Sequence, residues 1–480
     1  MYHAHRRVNS LAILVRLTVS WLDLLYKALD EACKAGATYA DARYQEYVYE
    51  HIVVENGSLK EYSKTFRKGV GLRVLLGGSI GFASTNDLSP QSIEETVRYA
   101  ISAARSIKGG VELSLKNPTK VRVRSSFNEN PLDPTPEDKV DIVLSANRES
   151  MMEAVKSTST RLGIQYDRRV ILSTDGCEVE CECFLVGLGH MSVAYEAGKL
   201  ERVYDSRSRV SGWEFISSTD WGEYTRGISR LALDAVKAPT PKAGVYRAVV
   251  DPELIGLVIH EAFGHAVEGD LVASGSSILA GRLGEAIASS CVTIVDDGLV
   301  EGGYYVPYDD EGVEKKPVTV VDNGVLKSFL THLASASKLK LDPTGNGRAQ
   351  DFHSQPIVRQ TNLYMKPGDY SFEELIEDIS EGIYLKGMGA GGGQVDPGTG
   401  SFTFSVGPSY MIRKGELAEL VRGTVVSGLI LETLKGVEAV GCDLSVETSV
   451  FGGCGKEGQI VRVGDGGPHV KIKQISVGGG

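Results

Sequence analysis

Asp251-Pro252-Glu253-Leu254-Ile255-Gly256-Leu257-Val258-Ile259-His260-Glu261-Ala262-Phe263-Gly264-His265 begins as a helix, with Asp as cap and Pro at the first position, and continues through a run that is almost wholly apolar. Both His therefore lie in a buried helix, where an imidazole needs a partner. With nine His, and Glu bounded by all 62 acidic residues, an HExxxH pattern arises by chance about 0.02 times in such a chain, so the match carries weight. Around this helix, residues 242–480 read as strands: Asp297-Gly298 and Asn323-Gly324 are hairpin turns between runs rich in Val, Ile and Thr. One further helix, 372–382, is announced by the Ser371 and Glu374 capping box.

Working back toward the N-terminus, Leu22, Leu25, Leu29 and Ala32 or Cys33 recur at helical spacing before Gly36. Residues 43–54 and the run after Asn56-Gly57 form a hairpin, and Ser89-Pro90 starts a helix whose inner face carries Ile93, Val97, Ala100, Ile101 and Ala104. Pro118, Pro131, Pro134 and Pro136 mark a first boundary, with Thr135 capping a new helix; Pro239 and Pro241 mark a second, after a helical segment around 220–237. The expected class is α+β: a tail or upstream extension at 1–20, an N-terminal α/β domain at 21–116, a middle α/β domain at 117–241, and a strand-rich C-terminal domain at 242–480 carrying the metal-binding helix.

At 480 residues, 42% apolar and 24% charged, the chain has ordinary globular composition, which excludes wholesale disorder and a membrane-embedded body. Lys plus Arg number 51 against 62 Asp plus Glu, a balance of −11 that repels phosphate backbones, so nucleic acid is not an expected partner. Arg6 and Arg7 precede an apolar stretch as in a secretory signal, but Leu11 to Val15 is broken by Arg16 and is too short to span a bilayer. Seven Cys without a regular framework read as a reduced, cytoplasmic protein.

The spacing of the two His sets a geometric condition. At ~100° per residue, positions i and i+5 stand ~140° apart on a regular helix and cannot grip one metal. A π-bulge brings them back to one side, and Gly264, lacking a Cβ, suits the distortion, so a wide turn or break is predicted between Phe263 and His265. If both His bind Zn²⁺, a third protein ligand would leave one position for water, and Glu261 would serve as the general base. Glu268 and Asp270 stay in view as oxygen ligands. Cys454 is the better candidate, because its flanking glycines free the backbone to present a thiolate, which Lys456 would help keep deprotonated. Local sequence alone favours a glycine-rich turn with an incidental Cys.

Other motifs carry less. Cys177, Cys181 and Cys183 share one parity with Val179 while Glu178, Glu180 and Glu182 take the other, the period of a half-buried strand, so core packing is expected of them. Gly389-Ala390-Gly391-Gly392-Gly393-Gln394 lacks the sixth Gly and the Lys-Ser/Thr ending of nucleotide loops; such backbone equally suits a cleft for an extended peptide. Arg348, in Thr344-Gly345-Asn346-Gly347-Arg348, could bind a carboxylate or steady an oxyanion, with a surface Arg on a turn as the simpler expectation.

Taken in order, HEAFGHAVEGD, the acidic turn Asp309-Asp310-Glu311-Gly312, TGNGR, Arg359 with Thr361-Asn362, GGGQVD and CGKEGQ resemble the TldD/PmbA family, named after modulators of DNA gyrase. The resemblance covers residues 22–480. It implies a zinc metallopeptidase acting on unfolded or short peptides, with His260, His265 and Cys454 on the metal and Glu261 as base. It also implies pairing with a related TldE/PmbA-like subunit that lacks the motif, as a heterodimer, or else a homodimer. The chain looks like the motif-bearing member, and the resemblance further implies peptide processing and degradation of antitoxin-like proteins. Two other functions compete: a non-catalytic metal-binding subunit of a larger assembly, and a nucleotide-dependent enzyme using 389–400.

Overall fold

A computed structural model of the chain describes residues 21–106, 109–115, 117–389 and 392–479. The expectations for the tail at 1–20 fall outside the described residues. The protein is α+β. Helix α1 (Trp21–Lys34) leads into strands β1 (Tyr39–Glu55), β2 (Ser58–Leu76) and β3 (Ser79–Thr85), followed by α2 (Pro90–Ser106). The β1–β2 turn is the expected Asn56-Gly57 pair, with φ of 48° and 75°, as a turn matched to the strand twist requires. The Pro-rich segment contains β4 (Lys120–Arg124), and from its last proline come α3 (Pro136–Glu149), β5 (Val155–Ser173), β6 (Glu178–Glu196), β7 (Lys199–Arg209), α4 (Trp213–Ser218) and α5 (Trp221–Ala235). Thr135 caps α3 in a full capping box with Asp138.

β1 pairs with β5 along nearly its whole length, so the strands on both sides of the Pro-rich segment form one seven-stranded sheet in the order β3-β2-β1-β5-β6-β4, with β7 on β6. α1 and α2 cover one end through Leu25, Leu29, Val97 and Ala100, and α3 and α5 cover the other through Val143, Trp221 and Ile228. Cys177 and Cys183 join apolar clusters along β6. Burial pushes both thiols up, Cys177 to about 11.

His190 on β6 is fully buried, with Nδ1 2.7 Å from Thr160 Oγ1 and Nε2 2.8 Å from Ser192 Oγ. Burial pulls its pKa down to about 3, against about 6.5 when unfolded. The unfolded chain therefore binds the proton first as pH falls, and the stability supplied by neutral His190 is complete above ~6.5 and drains away toward pH 3. Between pH 6.5 and 5.5 the wild type should lose about 1 kcal/mol more than His190→Gln in urea unfolding. Identical losses in the two proteins would refute this.

From β8 (Gly244–Val250) and α6 (Pro252–Val258) onward the chain builds two large sheets and two two-stranded ones. A nine-stranded sheet holds β8 between residues 470–479 and 381–385 and ends at an edge strand, Gly392–Asp396. A six-stranded sheet contains residues 294–296, 318–322, 362–365, 445–448 and 464–467. One apolar core joins both sheets to the metal-motif helix through Leu254, Ile255, Val258, Ile259, Ala262 and Phe263. Asn323-Gly324 does turn a hairpin, whereas Asp297-Gly298 does not: the strand pairing with 294–296 arrives only at Val318. The capping-box helix stops at Ile376 instead of 382, because Glu381–Leu385 is drawn into the sheet between β8 and residues 409–413. Among the described residues no helix is long and apolar enough to cross a membrane.

The acidic turn at 309–312 docks the half that contains the HExxxH helix onto the seven-stranded sheet. Arg73 on β2 bridges Asp41 and Glu311 at 2.6 Å each, and Arg169 on β5 reaches Asp310 at 2.7 Å. Arg73, Asp41, Asp310 and Glu311 are all buried, so each charge depends on its partner.

Candidate metal centre

Asp251 caps α6 by accepting from the Leu254 N–H at 2.9 Å, and its same oxygen accepts from Gly387 N–H at 3.0 Å, tying the helix start to the glycine-rich segment. After Val258 the helix widens into a π turn over Ile259–Gly264 and tightens to a 3₁₀ turn at His265–Val267. The wide turn begins a little upstream of the place expected from the spacing, and it brings the two imidazoles to a centroid distance of 5.7 Å. Gly264 has ordinary helical φ (−62°), so its role is room: a Cβ there would stand 2.1 Å from Gln360 Oε1. Gln360 Nε2 donates to the His260 carbonyl at 3.1 Å, so this amide props the distorted turn.

Cys454 begins a short hairpin, Cys454–Lys456 with Gln459–Val461, whose Glu457-Gly458 turn has φ of 50° and 75°. Arg359, fully buried, grips the Cys454 carbonyl with Nη2 and donates from Nη1 to Gln459 at 3.1 Å. The hairpin thereby delivers the sulfur to the helix: Cys454 Sγ lies 3.4 Å from His265 Nε2, and ligand atoms of His260, His265 and Cys454 all fall within 4.8 Å of one another. Zinc bonds of ~2.0–2.3 Å set tetrahedral edges near ~3.5 Å, so this N₂S set fits such an ion. His260 Nδ1 is buried without a hydrogen-bond partner, 4.0 Å from Asp465.

The electrostatics keep the sulfur ionised. Burial would push the Cys454 thiol up, but His260 and His265 outweigh it and hold it down to about 4. Burial would likewise lower the imidazoles, yet the Cys454 sulfur lifts His260 to about 9, and with Glu268 it lifts His265 to about 10. Thiolate is the form that binds metal. Lys456 acts elsewhere than expected, at 2.9 Å from Glu268 and 2.7 Å from Asp270. Glu268 is likewise not presented as a ligand: it is fully buried and meets His265 Nδ1 at 3.1 Å, which fixes the tautomer that turns Nε2 toward the sulfur. Against its own burial, His265 and Lys456 keep Glu268 ionised.

Glu261 stands outside the three-atom cluster and lines an open cavity of ≈ 320 Å³ with His260, Cys454 and Asp465. Gly387, Gly389 and Gly392 also face this cavity, as do Asp205, Glu253 and Glu447. Burial raises the Asp465 carboxyl to about 6 and Glu447 to about 7. Gln360 and Asp465 carry no local signature in the sequence; Arg359 was marked only as part of the resemblance, and its hold on the Cys454 carbonyl, like that of Gln360 on His260, comes from the fold that sets 357–362 beside both the helix and the hairpin.

Residues 243–479 match the PmbA/TldA metallopeptidase C-terminal domain, 129–237 the central domain and 40–104 domain 1. The chain is 40% identical to a metalloprotease of Methanothermobacter thermautotrophicus, over 92% of this chain and 95% of that one. It is 30% identical to a zinc metalloprotease TldD homolog of Saccharolobus solfataricus, over 95% of this chain and 100% of that one. It shares its fold with TldE from Thermococcus kodakarensis at a TM-score of 0.77 and 18% identity, covering 95% of this chain and 100% of that one.

Proposed function

The chain belongs to the PmbA/TldD family of metallopeptidases, and on that premise we propose that it is a zinc-dependent peptidase that hydrolyses unfolded or short peptides held in an extended conformation. The observation that carries this reading is the convergence of His260, His265 and Cys454 beside Glu261 on an open cavity. A zinc ion held by these three side chains supplies Lewis acidity, polarising a carbonyl and lowering the pKa of a water. Glu261, next in sequence to His260 and facing the cavity, takes a proton from the attacking water and passes it to the leaving nitrogen. Glu268 holds His265 in its tautomer, Gln360 holds the backbone at His260, and Arg359 holds the backbone at Cys454. Gly392, on the cavity wall, begins the edge strand Gly392–Asp396, whose unpaired main-chain groups suit an extended peptide added as a further strand. The fold shared with TldE supports a related second subunit, as a heterodimer or a homodimer, and the seven free cysteines suit a reducing compartment, for which we propose the cytoplasm.

Purified protein should carry about one zinc per chain, cleave unstructured peptides, stop when a chelator strips the ion, and resume when zinc returns. Less than about a third of an equivalent of zinc after reconstitution would sink the reading. Zinc at full occupancy without hydrolysis, alone and with a related subunit, would leave the non-catalytic metal-binding role.

A further inference from the structure

A second cavity, of ≈ 580 Å³, lies between the seven-stranded sheet and the metal-bearing half, and it shares Gly452 and Gly453 with the metal-side cavity as a common wall. Its charges are of the opposite sign. Arg67, Arg169, Arg348 and Arg462 line it against Asp167 and Asp351, whereas no Lys or Arg is among the described residues facing the metal side. Asp167 is already committed, to Arg169 at 2.9 Å and Gln45 at 2.9 Å. Asp351 accepts from His353 N–H and Ser354 Oγ at 3.0 Å each, and from Gln350 Nε2 at 3.3 Å. Arg462 donates to neutral acceptors: Gln165 at 2.8 Å and the carbonyls of Ser449 and Gly452.

Of these four arginines, Arg348 is the buried one. Expected on a surface turn, it is instead only 5% exposed. Its Nη1 donates to the Gln360 carbonyl at 2.8 Å and its guanidinium stands 5.8 Å from the centre of the Tyr304 ring. Among the described residues no carboxylate pairs with it; Asp310 and Glu311 are bound to Arg169 and Arg73. Burial brings its pKa down to about 10, still a cation at neutral pH. A buried guanidinium without a counter-ion is costly, and its planar fork matches a carboxylate. Gln360 links it to the centre, accepting from Arg348 through its carbonyl and donating to the His260 carbonyl through its amide.

We propose that the Arg348 cavity is a carboxylate subsite that receives the C-terminal carboxylate of the peptide whose backbone enters the metal-side cavity. This rests on the peptidase reading and adds a polarity to it: the acidic cavity favours the end of the peptide carrying the ammonium, and the arginine cavity the end carrying the carboxylate. The enzyme therefore favours short peptides with free C-termini over interior segments of long chains.

Calorimetry on zinc-loaded Glu261→Gln separates binding from turnover. Three peptides of one sequence serve as probes: the free acid, the C-terminal amide, and the amide with Glu at the last residue. The free acid should bind about 10- to 100-fold tighter than the plain amide. Adding Arg348→Met should erase the ratio, and Arg348→Lys should restore part of it. Equal binding of acid and amide with Arg348 intact overturns the proposal, with no need for the Arg348 variants to fold. So does a ratio that survives Arg348→Met. The Glu-bearing amide binding as tightly as the free acid would overturn the C-terminal assignment in favour of a side-chain carboxylate. Wild type that cleaves none of these peptides sinks the peptidase reading alone, because the binding ratio is still scored.

Discussion

Glu261→Gln should lower kcat for peptide hydrolysis by about 10²- to 10⁴-fold while leaving zinc content and KM close to wild type. The split follows from position. Glu261 faces the cavity beside His260 but is not one of the three clustered ligand groups, so an amide of the same shape removes proton transfer without opening the metal cage. Steady-state kinetics beside metal analysis on one preparation checks both halves. Activity within about tenfold of wild type would remove Glu261 as the base. It would turn attention to Asp465, the other carboxyl close to His260, at 4.0 Å. Loss of zinc along with activity would instead make Glu261 a structural support of the centre.

Cys454→Ser should weaken zinc binding by roughly a hundredfold or more, since losing a ligand costs at least what losing its outer support does. Hydrolysis should fall with occupancy and recover in part at high zinc. The sulfur is 3% exposed, held 3.4 Å from His265 Nε2, and kept ionised by two imidazoles. A serine hydroxyl at that place stays protonated and is the poorer donor. Competition against a chromophoric chelator measures the affinity directly. Unchanged affinity would show that the hairpin approaches the helix without ligating, and would leave the third protein position to another group.

The sequence was most legible where the signal is local. Asn56-Gly57, Ser89-Pro90, Thr135-Pro136 and Asp251-Pro252 each mark a turn or helix start that the structure contains, because turn and cap chemistry depends on a few adjacent residues. The π turn was legible for a different reason: two His five apart demand it if they are to meet. What failed needed partners distant in the chain. Glu381–Leu385 has no local mark separating it from the helix before it, and only the neighbouring strands claim it. Arg348 sits among glycines as a surface residue would, yet strands from three parts of the chain close over it. Lys456, two residues beyond Cys454, suggested a thiolate partner, but its ammonium is taken by the distant carboxylates of Glu268 and Asp270. Gly264 was noted for flexibility and serves by leaving space for a distant amide.

The two arginines that clasp the acidic turn make the halves of this molecule interdependent. A fragment starting near residue 242 would keep Asp310 and Glu311 but lose Arg169 and Arg73, and with them the surface against which the acidic turn packs. The half that holds His260, His265 and Cys454 thus leans on the long sheet to neutralise its acidic turn, and the two halves stand or fall as one body.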